Sequence, residues 1–297
     1  VNIFKNLTLR QKKSIIGIIF ISPFLFGFFM FFLAPIIQTV SFSVNELNIS
    51  RLGLETNFVG LDHYNFAFSV HPVFIRTFFE NLLYVLLDLP LILFFSFFAA
   101  LMLNQKFKGR LIARAIFFLP VILASSAVIG MDSAQYATEI LEQTSESVFL
   151  SGEFIQVFLM ELQLPEDFIG YIIDGIERLP EVIRASGIQI LIFLAGLQSV
   201  PDSYFEASRI EGATTWENFW LITFPLMTPV ILINVIYTLI DLFLAQDNEL
   251  VELIQDEAFV GAGYGVSSAM AVVYFIAVAF IILVVGGLLS RYVFYQE

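Results

Sequence analysis

A chain of 297 residues with 58% apolar and only 14% charged residues cannot coat a water-soluble fold, which needs roughly 25% charged residues. Its 35 phenylalanines exceed what one aqueous core can hide, so lipid is the solvent that the composition implies. The net charge of -13 excludes nucleic acid as a partner, because phosphate binding needs concentrated Lys and Arg, and the absence of cysteine excludes disulfides, thiol catalysis and Cys-ligated metals. His63 and His71 lie eight apart in one loop, without the spacing or the further ligands a zinc site needs, so no metal is expected.

A membrane helix needs about 20 mainly apolar residues, and six segments approach that length. The first, near 15–40, follows Lys5, Arg10, Lys12 and Lys13. It is too long for a signal-peptide core and reads as a retained helix. It contains Pro23 and Pro35. The second, near 78–103, carries Asp88 and Pro90, and the third lies near 111–131. Residues 132–184 follow, with eleven carboxylates and two arginines, and read as an extracytoplasmic insertion of short amphipathic helices. The fourth segment is shorter, near 182–200. The fifth lies near 224–245 and the sixth near 266–292, separated by the acidic loop Gln246 to Glu257. Both acidic stretches read first as solvated faces and second as docking surfaces for an external partner.

Basic residues set the orientation. With the N-terminus inside, ten of the 14 Lys and Arg fall on cytoplasmic parts, including Lys106, Lys108, Arg110, Arg114, Arg209 and Arg291. The positive-inside rule then places both termini in the cytoplasm.

The connection at 201–225 is not ordinary linker sequence. Pro201 and Asp202 or Ser203 start a helix, and Tyr204 to Ile210 supplies two turns. Gly212 stops it by taking the left-handed cap geometry cheaply. A second short helix is predicted from about Thr215 to Thr223, ending before Pro225. This helix–Gly–helix hairpin displays Phe205, Trp216, Phe219 and Trp220 with Glu206, Arg209 and Glu217, a mix suited to protein docking.

The hairpin resembles the EAA loop of ABC importer permeases, whose pattern is Glu-Ala-Ala, Asp-Gly-Ala, an aromatic and a Pro-rich exit. Here it reads Glu206-Ala-Ser208, Glu211-Gly-Ala213, Phe219, Pro225 and Pro229, with Ser208 and Glu211 as departures. Phe58-Val-Gly-Leu-Asp-His-Tyr64, Leu103-Asn-Gln-Lys-Phe-Lys-Gly-Arg110, Phe117-Phe-Leu-Pro120 and Ile192-Phe-Leu-Ala-Gly-Leu-Gln198 are similar to the maltose-type, carbohydrate-importing branch. The resemblance implies an all-α integral membrane protein, one permease domain over 1–297, in a bacterial cell membrane. It implies a second homologous permease as partner, two cytoplasmic ATPase subunits and an extracytoplasmic solute-binding protein. Glu206, Ala207, Arg209, Glu211, Gly212, Ala213 and Phe219 would couple to an ATPase. ATP and Mg would be used by those partners, with no cofactor on this chain and no catalysis of its own.

Polar residues inside membrane helices usually face a cavity or a partner helix. Asn234, Thr238 and Asp241 share one face by their spacing, with Tyr237 beside them. Gln189 and Ser125 lie on other helices. By resemblance these six line the substrate path, and hydroxyl, amide and aromatic groups suit a carbohydrate. The plainer reading is that Ser125 and Thr238 bond back to helix carbonyls and that Gln189 and Asn234 join helices. Two other functions stay open: an ion-coupled secondary transporter using Asp88 and Asp241, and an ABC permease for a solute other than a sugar. A membrane-embedded enzyme is disfavoured, since no HExxH, GxSxG or Asp-rich metal motif occurs.

Overall fold

The computed structural model describes residues 9–50, 53–105, 107–112, 114–115, 182–183, 185–245 and 248–293. The 132–184 insertion, nearly all of the third apolar segment and Ser125 lie outside the described residues except at 182–183.

The first apolar segment forms α1 (Leu9–Phe28) and α2 (Ala34–Ser43), joined by one π-helical turn, Phe29–Leu33. A two-stranded antiparallel hairpin follows, β1 (Asn45–Ser50) with β2 (Gly53–Phe58), in the register Asn45 to Phe58 and Leu47 to Thr56. After the short α3 (Asp62–Asn65) comes α4 (Phe74–Asn104). Beyond the insertion lie α5 (Gly187–Ser199), α6 (Asp202–Ile210), α7 (Thr215–Asn218), α8 (Phe224–Phe243), α9 (Glu249–Phe259) and α10 (Tyr264–Ser290). The acidic stretch expected as a loop at 246–257 is thus largely the helix α9.

Among the described residues, four helical stretches are long and apolar enough to cross a bilayer: Lys13–Ser43, Phe74–Asn104, Thr215–Phe243 and Tyr264–Ser290. At about 1.5 Å per residue each exceeds the roughly 30 Å hydrocarbon core. The first keeps no residue of its most apolar window buried. Phe20 is 84% exposed and Phe31 76%, surfaces that only lipid or a partner helix can cover.

The helix predicted to end before Pro225 does not end there. It runs unbroken from Thr215 through a π turn, Phe219–Thr223, into α8. A proline inside a helix removes one N–H, and its ring strikes the carbonyl four residues back. The π turn shifts the register first, with the Phe224 N–H reaching the Phe219 carbonyl. The same device precedes Pro35, where the Ala34 N–H reaches Phe29.

The chain divides into two compact units, Val1–Leu82 with Ala245–Phe280, and Leu83–Leu244 with Ile281–Glu297. In the first, the His71 ring is held at both nitrogens. Nδ1 accepts the Phe74 N–H at 3.0 Å, so neutral His71 carries its proton on Nε2, which donates to Glu257 Oε1 at 2.9 Å. The other Glu257 oxygen accepts the Ala262 N–H at 2.8 Å. Burial pushes the Glu257 carboxyl up, but the Ala262 N–H and the His71 ring outweigh it and hold the carboxyl below its ordinary value. A lowered carboxylate contributes stability that is complete above its unfolded pKa and is lost as pH falls through the folded one. Hydrogen exchange at the Ala262 amide, corrected for intrinsic rates, therefore stays slow from pH 7 to about 5 and accelerates below about 4. Glu257→Gln removes that pH dependence, and a flat profile in the parent chain would refute the clasp.

The second unit is built on α4, α5 and α8. Phe97, Ala100 and Leu103 pack with Ile190, Phe193, Leu194, Leu197 and Met227 in one buried cluster. The Phe97 and Phe193 rings meet edge to face at 5.2 Å. Lipid removes the hydrophobic drive between helices, so close van der Waals fit must hold this contact. Gly196 permits it. A Cβ there would fall 2.8 Å from both Val230 methyls and 2.9 Å from Met227 Cε.

Candidate functional site

The hairpin α6–Gly212–α7 is built from local bonds. Pro201, at φ -64 and ψ 135, leads into α6, with Asp202 in its first turn and Arg209 in its last, both complementing the helix dipole. The C-terminus closes as a Schellman motif. The Ala213 N–H reaches the Ser208 carbonyl at 2.9 Å and the Gly212 N–H reaches Arg209 at 3.1 Å. Gly212 takes φ +82, the left-handed conformation this motif demands. Thr214 then caps α7 in a capping box. Its Oγ1 accepts the Glu217 N–H at 3.3 Å, and Glu217 Oε2 accepts the Thr214 N–H at 2.7 Å. Sequence reasoning missed this box, although Thr214-x-x-Glu217 is its signature.

Glu206, Ala207, Arg209, Glu211 and Gly212 are exposed, while Ala213 and Phe219 are half-buried. Ser208, the departure from Ala, is buried and its hydroxyl donates to the Phe205 carbonyl at 3.0 Å, so it leaves the outer face unchanged. Trp216, 69% exposed, lies 5.6 Å from Trp220 and 6.2 Å from Phe219. Phe219 in turn sits 6.1 Å from Phe97, inside the cluster that packs α4 on α5. The hairpin is thus a rigid element with an outer face of charge and indole and an inner aromatic wedge. A cavity of about 310 Å³ beneath it is lined by Phe205, Arg209, Asn218 and Phe219 among others.

The predicted membrane-embedded group divides. Gln189 and Asn234 are fully buried, and Asn234 Nδ2 donates to the Gln189 carbonyl at 3.0 Å. Gln189 Nε2 donates to Asp241, which is exposed, at 3.4 Å. Gln189 Oε1 and Asn234 Oδ1 accept from no donor among the described residues. Thr238 is buried and its hydroxyl bonds back to the Asn234 carbonyl at 2.8 Å, while Tyr237 is half-buried. Gln189, Asn234 and Asp241 therefore form one polar cluster between α5 and α8, and Thr238 uses its hydroxyl within its own helix. Asp88 is buried in α4.

A helical membrane protein with a rigid, externally accessible hairpin between two of its apolar helices is the class that this geometry defines. A family model described as "Binding-protein-dependent transport system inner membrane component" matches residues 182–296, the stretch that holds the hairpin. The arabinooligosaccharides transport system permease protein AraP of Bacillus subtilis (strain 168) is 32% identical over 229 residues, covering 75% of this chain and 67% of AraP. The trehalose/maltose transport system permease protein MalF of Thermococcus litoralis is 30% identical over 241 residues, covering 80% and 77%. A bacterial ABC transporter involved in the import of the acidic polysaccharide alginate shares the fold, with a TM-score of 0.61 at 21% identity over 94% of this chain and 96% of that chain. The chain belongs to the family of permease subunits of binding-protein-dependent ABC importers.

Proposed function

We propose that this chain forms one half of the translocation path of an ATP-driven importer for a sugar or oligosaccharide. The observation that carries it is the hairpin, a locally locked element that shows Glu206, Arg209 and Glu211 to a partner and wedges Phe219 into the helix core. The names of AraP and MalF support a saccharide as the cargo. In this reading both termini and the hairpin face the cytoplasm, consistent with the excess of Lys and Arg there. Residues 1–297 act as one permease domain, with 132–184 as an extracytoplasmic insertion. A second, homologous permease completes the path. Two ATPase subunits grip the two hairpins, and a solute-binding protein delivers cargo from outside. ATP and Mg belong to the ATPases, and this chain carries out no bond-making step.

Mechanically, closure of the ATPases on nucleotide pulls α6 and α7. Because α7 continues into α8 without a break, that pull reaches Asn234 and Asp241 directly. The chain then exchanges inward- and outward-facing states that nucleotide biases. Gln189, Asn234, Tyr237, Thr238 and Asp241, with Ser125, line the path. The acceptors of Gln189 and Asn234, which have no donor among the described residues, suit saccharide hydroxyl donors once the path opens to them. The Asp241 carboxylate favours a neutral cargo over an acidic or phosphorylated one.

Glu206→Ala tests the reading. In the assembled complex it is expected to reduce ATPase co-purification and to lower sugar uptake roughly tenfold, the scale of losing one charged anchor at an interface. Uptake that persists in ATP-depleted vesicles under a sodium or proton gradient would instead favour a secondary transporter.

A further inference from the structure

A second cavity, of about 490 Å³, lies beside the first but has a different character. Arg110, Arg114, Asn104, Gln198 and Asp202 line it, with Phe205 of α6. Arg110 and Arg114 are one helical turn apart, so both guanidinium groups leave the same face of the helical stretch that begins at Arg110. Neither forms an ion pair among the described residues. One Arg114 donor, on Nη2, reaches the Leu103 carbonyl at 3.1 Å, and Nε is buried without an acceptor among the described residues. Arg110 is exposed and Arg114 half-buried; two like charges one turn apart on one face repel each other, and a buried N–H without a partner is costly. Both problems are relieved by one tetrahedral anion, since planar guanidinium forks match phosphate oxygens. The amides of Asn104 and Gln198 supply further donors.

We propose that this cavity binds a phosphate-bearing monoanion, delivered as the headgroup of an anionic phospholipid. Two observations favour the lipid. The cavity sits at Asn104, the last residue of a membrane-spanning helix, where headgroup phosphates lie. Its lining charges, two arginines against Asp202, leave a single positive charge, which phosphatidylglycerol balances and zwitterionic phosphatidylcholine does not. Asp202 can accept from the glycerol hydroxyls. Since Asp202 and Phe205 belong to α6, an occupied cavity braces the hairpin from below, so this lipid would set how stiffly the hairpin transmits the ATPase stroke.

That the cavity opens toward the cytoplasmic leaflet rests on the proposed orientation, but binding is read without transport, so the two can fail separately. The complete, detergent-purified transporter is titrated with short-chain phosphatidylglycerol, with short-chain phosphatidylcholine and with inorganic phosphate, following its thermal midpoint and the lipid retained in native mass spectrometry. Phosphatidylglycerol is expected to stabilise the parent complex. The R110Q/R114Q variant is expected to need roughly thirtyfold more of it, as the loss of two basic groups at a membrane surface implies, while R110K/R114K, which keeps the charge but not the planar forks, falls between that variant and the parent. Stabilisation by inorganic phosphate alone, lost in R110Q/R114Q, supports the anion site and reassigns its ligand to a soluble phosphate. An unchanged phosphatidylglycerol response in R110Q/R114Q overturns the proposal, as does loss of the ATPase subunits from that variant with lipid retention intact, which would make the cavity a subunit contact.

Discussion

Gly212→Val is expected to cut ATP-driven uptake roughly tenfold while the apolar helices stay folded. The backbone at this position sits at φ +82, where an L-residue costs about 1–2 kcal/mol and a β-branched one is a genuine outlier. Space is not the issue, because a Cβ at Gly212 would meet nothing within 4 Å. The strain must therefore be relieved by rotating φ back below zero. That rotation breaks the Ala213–Ser208 and Gly212–Arg209 bonds and re-aims α7 relative to α6. Gly212 itself is not one of the residues of the buried cluster of Phe97, Phe193 and Met227, so the strain falls on the hairpin bend and expression of the folded chain should hardly change. Asn tolerates the left-handed conformation, so Gly212→Asn should keep more than half of the parental uptake. The check is uptake and ATPase co-purification of both variants in one assay. A valine variant as active as the parent would mean that the hairpin bend is not what transmits force.

The parts of this molecule that were legible in its sequence are the local ones. Pro201, Asp202 and Gly212 each act within one helical turn, and the hairpin they punctuate has the bounds those residues dictate. Thr214 and Glu217 were equally legible. The exit of α7 was misjudged for a physical reason. Pro225 reads as a stop when every carbonyl is assumed to bond four residues on, and the five-residue register of Phe219–Thr223 removes the clash without leaving a trace in composition. The β1–β2 hairpin was invisible because neither Asn-Gly nor Asp-Gly lies between Ser50 and Gly53, and the alternation is short, Leu47 with Ile49 on one strand and Leu54, Thr56 and Phe58 on the other. At the polar cluster, the common face of Asn234 and Asp241 follows from spacing on one helix. Its contact with Gln189, 45 and 52 residues away in sequence, is a packing result that no periodicity encodes.

A second large effect is expected at Asn248, whose position at the head of α9 hides how much it holds together. Its Oδ1 accepts the Leu250 and Val251 N–H groups at 3.0 and 3.2 Å, capping α9, and also accepts Asn81 Nδ2 at 2.9 Å. Its own Nδ2 donates to the Tyr274 hydroxyl at 3.2 Å, and that hydroxyl donates to Asn81 Oδ1 at 3.3 Å. Three side chains from α4, the start of α9 and α10 thus close a ring of hydrogen bonds, and Asn248 and Tyr274 are both buried. Asn248→Ala removes the cap, worth about 1 kcal/mol, and strips partners from buried groups at about 1–3 kcal/mol each. A total loss of about 2–4 kcal/mol is expected, since such terms overlap. Tyr274→Phe breaks two weaker bonds between helices, which in a membrane average about 0.6 kcal/mol, so it should cost about 1 kcal/mol. Asn248→Asp keeps the cap oxygen but not the amide donor and should fall between the two. The order, Ala worst, then Asp, then Phe at 274, is read from thermal unfolding of the purified complex. In the double variant Asn248→Ala/Tyr274→Phe the two losses should add to less than their sum, because each breaks the same ring. Strict additivity would show that the ring does not act as a unit and that Asn248 matters only as a helix cap.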